Sequence, residues 1–189
     1  MILGIDGGLA TFGYGVVDPR TCRVAAAGVL IQEVNDEFDV IENRELRLEK
    51  QVDLVADLVR THRITTIAVE TMTMVHAKGS AASKIAIGMS AGGTIALCRA
   101  LGVRRRSIPP KTWQRGIVPA RPGEKRTSAI DYDEVYAAIA TFVDVETLLA
   151  GIAPSKRNHA IDGCGIALYA AIVDEPLHVK PKPREPKRT

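Results

Sequence analysis

Aromatic residues are scarce, making up 4% of 189 positions, so any core must rest on Ala, Val, Ile and Leu. No apolar run approaches the roughly 20 residues that a membrane span needs. The opening MILGIDGG lacks the basic stretch and long apolar segment of a secretion signal, and its first apolar residues read as a strand. Only three cysteines occur, Cys22, Cys98 and Cys164, far apart and without a CxxC pair. That pattern argues against a zinc site or a disulfide framework, and the expected setting is a reducing cytoplasm. There is no internal repeat. A strong net charge is also missing: the formal value is +3 and the pI is near 8.8, which permits binding to a polyanion without establishing it.

What is present suits one domain of ordinary size, since 46% of the residues are hydrophobic and a real core can be buried. Residues 1–175 are expected to form that domain. The stretch 176–189, ending KPKPREPKRT, alternates Pro with Lys and Arg and reads as a disordered basic tail. Other basic residues cluster at Arg104 to Arg106, Lys111 and Arg115, Arg121 to Arg126, and Lys156 and Arg157. Such clusters are either phosphate contacts or simply solvated surface.

The first thirty residues read as a β-meander of ILGID, FGYGVVD and RVAAAGVLI, with turn chemistry at Asp18-Pro19-Arg20. Leu46, Leu48, Val52, Val55, Leu58 and Val59 recur at helical spacing and predict an amphipathic helix from about Arg44 to Arg63. TTIAVE is a strand ending on Glu70. A helix rich in Ala, Gly and Ser follows from about Ala81 to Leu101, with small residues Gly88, Ser90, Ala91, Gly92 and Gly93 suited to close approach by another element or subunit. Val103 to Ile108 reads as a strand, KTWQRGI as a short helix, PARPGEKRT as an exposed loop, and DEVYAAIATF and ETLLAG as helices. The last strong element is an apolar helix from about His159 to Val173. Strands first, then strands alternating with helices, indicate an α/β fold whose mixed central sheet has three antiparallel strands leading into parallel ones.

Three carboxylates stand in unusually apolar settings. Asp6 and Glu70 each end an apolar strand, and parallel neighbouring strands would bring both to one sheet edge. Asp162 lies inside an apolar helix, three residues after His159 and so on the same helix face. Taken singly, Asp6 reads equally well as a turn or cap residue, Glu70 as a surface charge, and Asp162 with His159 as a local pair at a helix start. Taken together, such groups are costly unless paired or bound to a cation. Oxygen ligands suit Mg2+ or Mn2+, and two such ions can drive phosphodiester hydrolysis without a covalent nucleophile.

With these residues in view, the sequence resembles the RuvC family of Holliday-junction resolvases in the RNase H-like superfamily. ILGIDGGLATFGYGVVD is similar to the family's first hairpin, AVET to the strand ending in its catalytic Glu, and HAIDGCGIALYAA to its last helix. The resemblance implies a Mg2+-dependent endonuclease, Mn2+ substituting, with two ions held by Asp6, Glu70, His159 and Asp162. Asp6 would bridge the ions, Glu70 and Asp162 would complete their ligation, and His159 would be a ligand or would orient the attacking water. It further implies a homodimer acting on four-way DNA junctions in recombination and repair. Lys111 and Lys125 would lie on the DNA face, with Lys78, Lys84, Arg115 and Arg126 as further phosphate contacts.

The sequence departs from the family pattern at four places. Gly7 replaces the usual Pro after the first Asp. The segment TMTMVHAKG after Glu70 is longer and lacks the family's junction-stacking aromatic, leaving Met72, Met74 or His76 as candidate wedges. The stretch from Lys125 to His159 is long, and the basic tail lies outside the resemblance. These features suggest a divergent bacterial, viral or phage member. The competing readings are an RNase H-like nuclease acting on other branched DNA or, like the YqgF type, on RNA; a catalytically inactive junction-binding protein; and an actin-like ATPase fragment, disfavoured by the missing second glycine-rich hairpin.

Overall fold

The computed structural model describes residues 1–71, 81–120 and 130–174. Strands β1 (Ile2–Gly7), β2 (Thr11–Asp18) and β3 (Arg23–Ile31) form the antiparallel meander. Helix α1 (Val40–His62) leads into β4 (Thr66–Glu70), α2 (Ala81–Ala100) into β5 (Arg104–Ile108), and α3 (Pro110–Ile117) follows directly. Helices α4 (Tyr132–Ile139) and α5 (Val145–Leu148) and a single 3-10 turn precede the long α6 (Arg157–Asp174). The sheet order is β3-β2-β1-β4-β5, antiparallel across β3, β2 and β1 and parallel across β1, β4 and β5. This is the mixed sheet that the order of elements predicts. No helix among the described residues is long and apolar enough to cross a membrane.

Side-chain alternation divides the interior into two layers. Leu3 and Ile5 of β1 and Ile67 and Val69 of β4 point to one face, where they meet Val55 and Leu58 of α1 and Cys98 of α2. Ile2 and Ala68 point to the other, where α6 lies under α3, α4 and α5. Helix α1 begins four residues before the expected Arg44, because Asp39 and Glu42 form a reciprocal capping box that satisfies its first turn. Two of the small residues of α2 meet α1. Gly93 faces Leu48 of α1, and buried Ser90 donates to Gln51 Oε1 of α1 at 3.1 Å. A Cβ on the outward Gly92 would meet nothing within 4 Å.

Helix α6 rests on the first hairpin at backbone distance. A Cβ on Gly4 would stand 2.1 Å from Gly163 O, one on Gly13 2.1 Å from His159 O, and one on Gly15 2.6 Å from Cys164 Cα. Gly163 completes the contact from the helix side, where a Cβ would meet the Tyr14 backbone at 2.6 Å. Gly4 and Gly15 are direct cross-strand partners, as are Asp6 and Gly13. The obstructing atoms are backbone and cannot swing aside. Gly13→Ala should therefore cost at least roughly 1–3 kcal/mol, whereas Gly92→Ala in open helix surface should gain about 0.5–1 kcal/mol. Chemical denaturation of both variants against the parent measures the contrast.

Candidate metal and phosphodiester site

On β1 the period of two that sends Ile2 and Gly4 toward α6 sends Asp6 the same way. On β4 it does so for Ala68 and Glu70. The register pairs Ile5 with Val69, so Asp6 and Glu70 each lie one residue beyond matched positions at the same sheet edge. The close seating of α6 then brings its second turn over that edge. His159 Nδ1 lies 2.7 Å from Asp6 Oδ2. The histidine thus reaches across to the strand, rather than pairing along its own helix face with Asp162. That choice follows from Gly13, whose missing side chain lets the His159 backbone sit directly against β2.

Charge and burial act strongly on this group. Burial, reinforced by the charge of Asp6, raises the Glu70 carboxyl to about 7, although the Trp113 indole N–H donates to Glu70 Oε2 at 3.2 Å and opposes the shift. Burial likewise raises Asp162 to about 7, with the charges of Asp6 and Glu70 adding to it and His159 opposing. His159 is raised chiefly by its hydrogen bond to Asp6, against the effect of its own burial. Asp6, Glu70, His159 and Asp162 therefore form one mutually interacting cluster. Among the described residues, no three His, Cys, Asp or Glu side chains are gathered tightly enough to enclose an ion.

The turn just past Asp6 is held from outside the sheet. Gln51 of α1 donates from Nε2 to Gly8 O at 2.8 Å, and Gln32 donates from Nε2 to Leu9 O at 3.2 Å. Gln51 is not among the residues that motif and spacing single out, although a polar residue inside the apolar stripe between Leu48 and Val55 is a visible signal, and neither is Trp113, the sole tryptophan. Of the candidate phosphate contacts, Lys84, Lys111 and Arg115 are exposed. Lys84 lies in the first turn of α2 and Lys111 in that of α3, and α3 starts at the sheet edge occupied by Asp6 and Glu70. Lys78, Lys125 and Arg126, and the candidate wedges Met72, Met74 and His76, lie outside the described residues.

The raised groups make a pH prediction for the metal-free protein. Glu70 and Asp162 have ordinary values of 4.5 and 3.8, so between about 4 and about 7 the native state binds more protons than the unfolded chain. His159, also raised, adds stability that is full below its ordinary 6.5 and is lost as pH rises through its native value. All three trends agree: the melting temperature in EDTA should fall as pH rises from 5 to 7.5. Glu70→Gln and Asp162→Asn should each raise the melting temperature at pH 7.5 and flatten the fall. An unchanged pH trend in both variants would contradict this account.

The model of the RuvC family, described as crossover junction endodeoxyribonuclease RuvC, matches residues 2–107, a span that includes Asp6 and Glu70 but stops before His159 and Asp162. No curated protein sequence matches the chain. Among solved structures, Thermus thermophilus RuvC in complex with a Holliday junction substrate aligns with a TM-score of 0.66 at 17% identity, covering 92% of this chain and 94% of that one. The yeast mitochondrial Holliday junction resolvase aligns with a TM-score of 0.62 at 16% identity, covering 90% and 77%. The fowlpox virus resolvase, solved with substrate Holliday junction DNA, gives 0.52 at 11% identity, covering 92% and 99%. At these identities the structural likeness is one of fold, an RNase H-like mixed sheet flanked by helices. The family match spans more than half of the sequence, and on that ground the chain belongs to the RuvC family of crossover junction endodeoxyribonucleases.

Proposed function

We propose that this protein is a divalent-metal-dependent endonuclease that resolves four-way DNA junctions by paired phosphodiester hydrolysis. One observation carries the reading. Asp6, Glu70 and Asp162, from β1, β4 and α6, act on one another by charge, and burial with that repulsion raises Glu70 and Asp162 to about 7. A cluster under that electrostatic load fits a divalent cation, and its donor set of carboxylate oxygens with one imidazole suits Mg2+ or Mn2+. Asp6, Glu70, Asp162 and His159 would hold it. Bound there, such ions supply an activated water and stabilise the leaving oxygen.

The chain's own groups perform the rest. Asp6, whose charge acts on both other carboxylates and which contacts His159, would be among the residues that hold the ions. His159 is kept in place by its 2.7 Å contact with Asp6, and from there it would orient the attacking water or join the ligands. Lys84, Lys111 and Arg115 would neutralise phosphates beside the cluster. Residues 1–175 form the nuclease domain in this reading, and two copies act together, since a junction with two-fold symmetry calls for two symmetric cuts. The three structural relatives are resolvases, two of them solved with junction DNA, which supports that substrate over the alternatives.

The deciding experiment compares a four-way DNA junction, an RNA–DNA hybrid and single-stranded RNA in one assay with Mg2+ or Mn2+. The junction should be cut in symmetric pairs and the other two should not. Asp6→Asn should keep junction binding while cleavage drops by at least about a hundredfold. Intact binding without metal-dependent cleavage by the parent protein would sink the enzymatic reading. Lys111→Ala should weaken junction binding and lower the salt-dependence slope by about one; an unchanged slope would remove Lys111 from the DNA face.

A further inference from the structure

Trp113 is the largest fully buried side chain in the molecule. Its position follows from the end of the sheet. Thr71 N donates to Ile108 O at 2.9 Å, tying the residue after Glu70 to the last residue of β5, and Pro109-Pro110 then starts α3 at once. That places the inward face of α3 beside Glu70. Trp113 lies on this face, while Lys111 and Arg115, four residues apart, are exposed. The indole also touches α6: a Cβ on Gly165 would stand 2.5 Å from Trp113 Cζ3. Gly165 follows Asp162 by three residues and shares its side of the helix. One rigid ring therefore spans the gap between the strand carrying Glu70 and the helix carrying Asp162.

A buried indole N–H needs an acceptor. Here the acceptor is a carboxylate oxygen of the charge cluster, Glu70 Oε2, at 3.2 Å. No described residue donates to the other oxygen. A ring that served only to fill space could have met this need with a backbone carbonyl.

We propose that Trp113 is a positioning residue for Glu70, holding one carboxylate oxygen so that the other is presented to a divalent cation shared with Asp6 and Asp162. The inference rests on the metal-dependent reading given above. The ring fixes the rotamer of Glu70 and the strand-to-helix spacing together. The cationic outer face of α3 and its Glu70-holding inner face belong to the same two helical turns.

Because the chain has one tryptophan, the test can change a single group. Full-length protein made with benzothienylalanine in place of tryptophan keeps the ring shape and loses the N–H. Mn2+ affinity is then measured by direct titration without DNA, alongside the melting temperature and junction binding in EDTA. Loss of the N–H should weaken Mn2+ binding about 10–100-fold, with junction binding in EDTA unchanged. The half-saturating Mn2+ concentration for cleavage should rise equally, with the rate recovered at high Mn2+. Trp113→Phe should shift metal binding in the same direction. Mn2+ affinity within twofold of the parent in the isostere protein would show that Trp113 only fills space, and a parent protein that binds no Mn2+ would overturn the proposal outright. A parent that binds Mn2+ but cuts no branched DNA refutes the nuclease reading while the comparison of Mn2+ affinities still decides the role of Trp113.

Discussion

The architecture depends on the direct contact between α6 and the β1–β2 hairpin. Gly4, Gly13 and Gly15 on the strands and Gly163 on the helix remove every side chain that would hold the two backbones apart. Ordinary helix-on-sheet packing inserts a layer of side chains, and its spacing would lift His159 and Asp162 away from Asp6 and Glu70. Glycine costs conformational entropy in both strand and helix. The chain accepts that cost at the positions where closeness is needed, and it surrounds them with fully buried Ile161, Cys164, Ala167 and Leu168.

That closeness creates an electrostatic problem as well as a site. Carboxylates half-shielded from water and facing one another repel, and the native fold relieves this by raising the proton affinity of Glu70 and Asp162 and by setting His159 against Asp6. Stability is given up locally for a concentration of negative charge. The surrounding frame is correspondingly stiff: Gln51 and Gln32 grip the carbonyls of the turn after Asp6, and Thr71 locks the end of β4 to β5. The cluster is strained in charge and well supported in backbone.

Much of this was legible in the sequence, for identifiable reasons. Asp6 and Glu70 stand out because each closes an apolar strand, and the meander followed by alternating elements dictates a sheet in which those strands are parallel neighbours. The start of α1 was legible in principle, since Asp39 and Glu42 have capping-box spacing, but the apolar periodicity draws the eye to Arg44. The partner of His159 was not legible. Spacing along α6 suggests Asp162, and only the crossing of α6 over Gly13 reveals Asp6. Trp113 was equally hidden, because its partner Glu70 lies 43 residues away and nothing local marks the indole as belonging to the cluster. Residues whose role is set by their own element can be read in one dimension, whereas those set by the approach of two elements cannot.

The place of α6 in the chain has a consequence for biosynthesis. Asp6 and Glu70 are translated before His159 and Asp162, which arrive only with α6. Until then the glycine-lined trough on the hairpin has nothing to receive, Ile2, Val17 and Ala68 lack their cover, and the carboxylate group is incomplete. Closing a contact between residues so far apart is among the slower events of folding. A prematurely terminated chain would carry the opening half of the charge cluster with no means of completing it. The order of elements thus withholds the assembled cluster until α6 has been made.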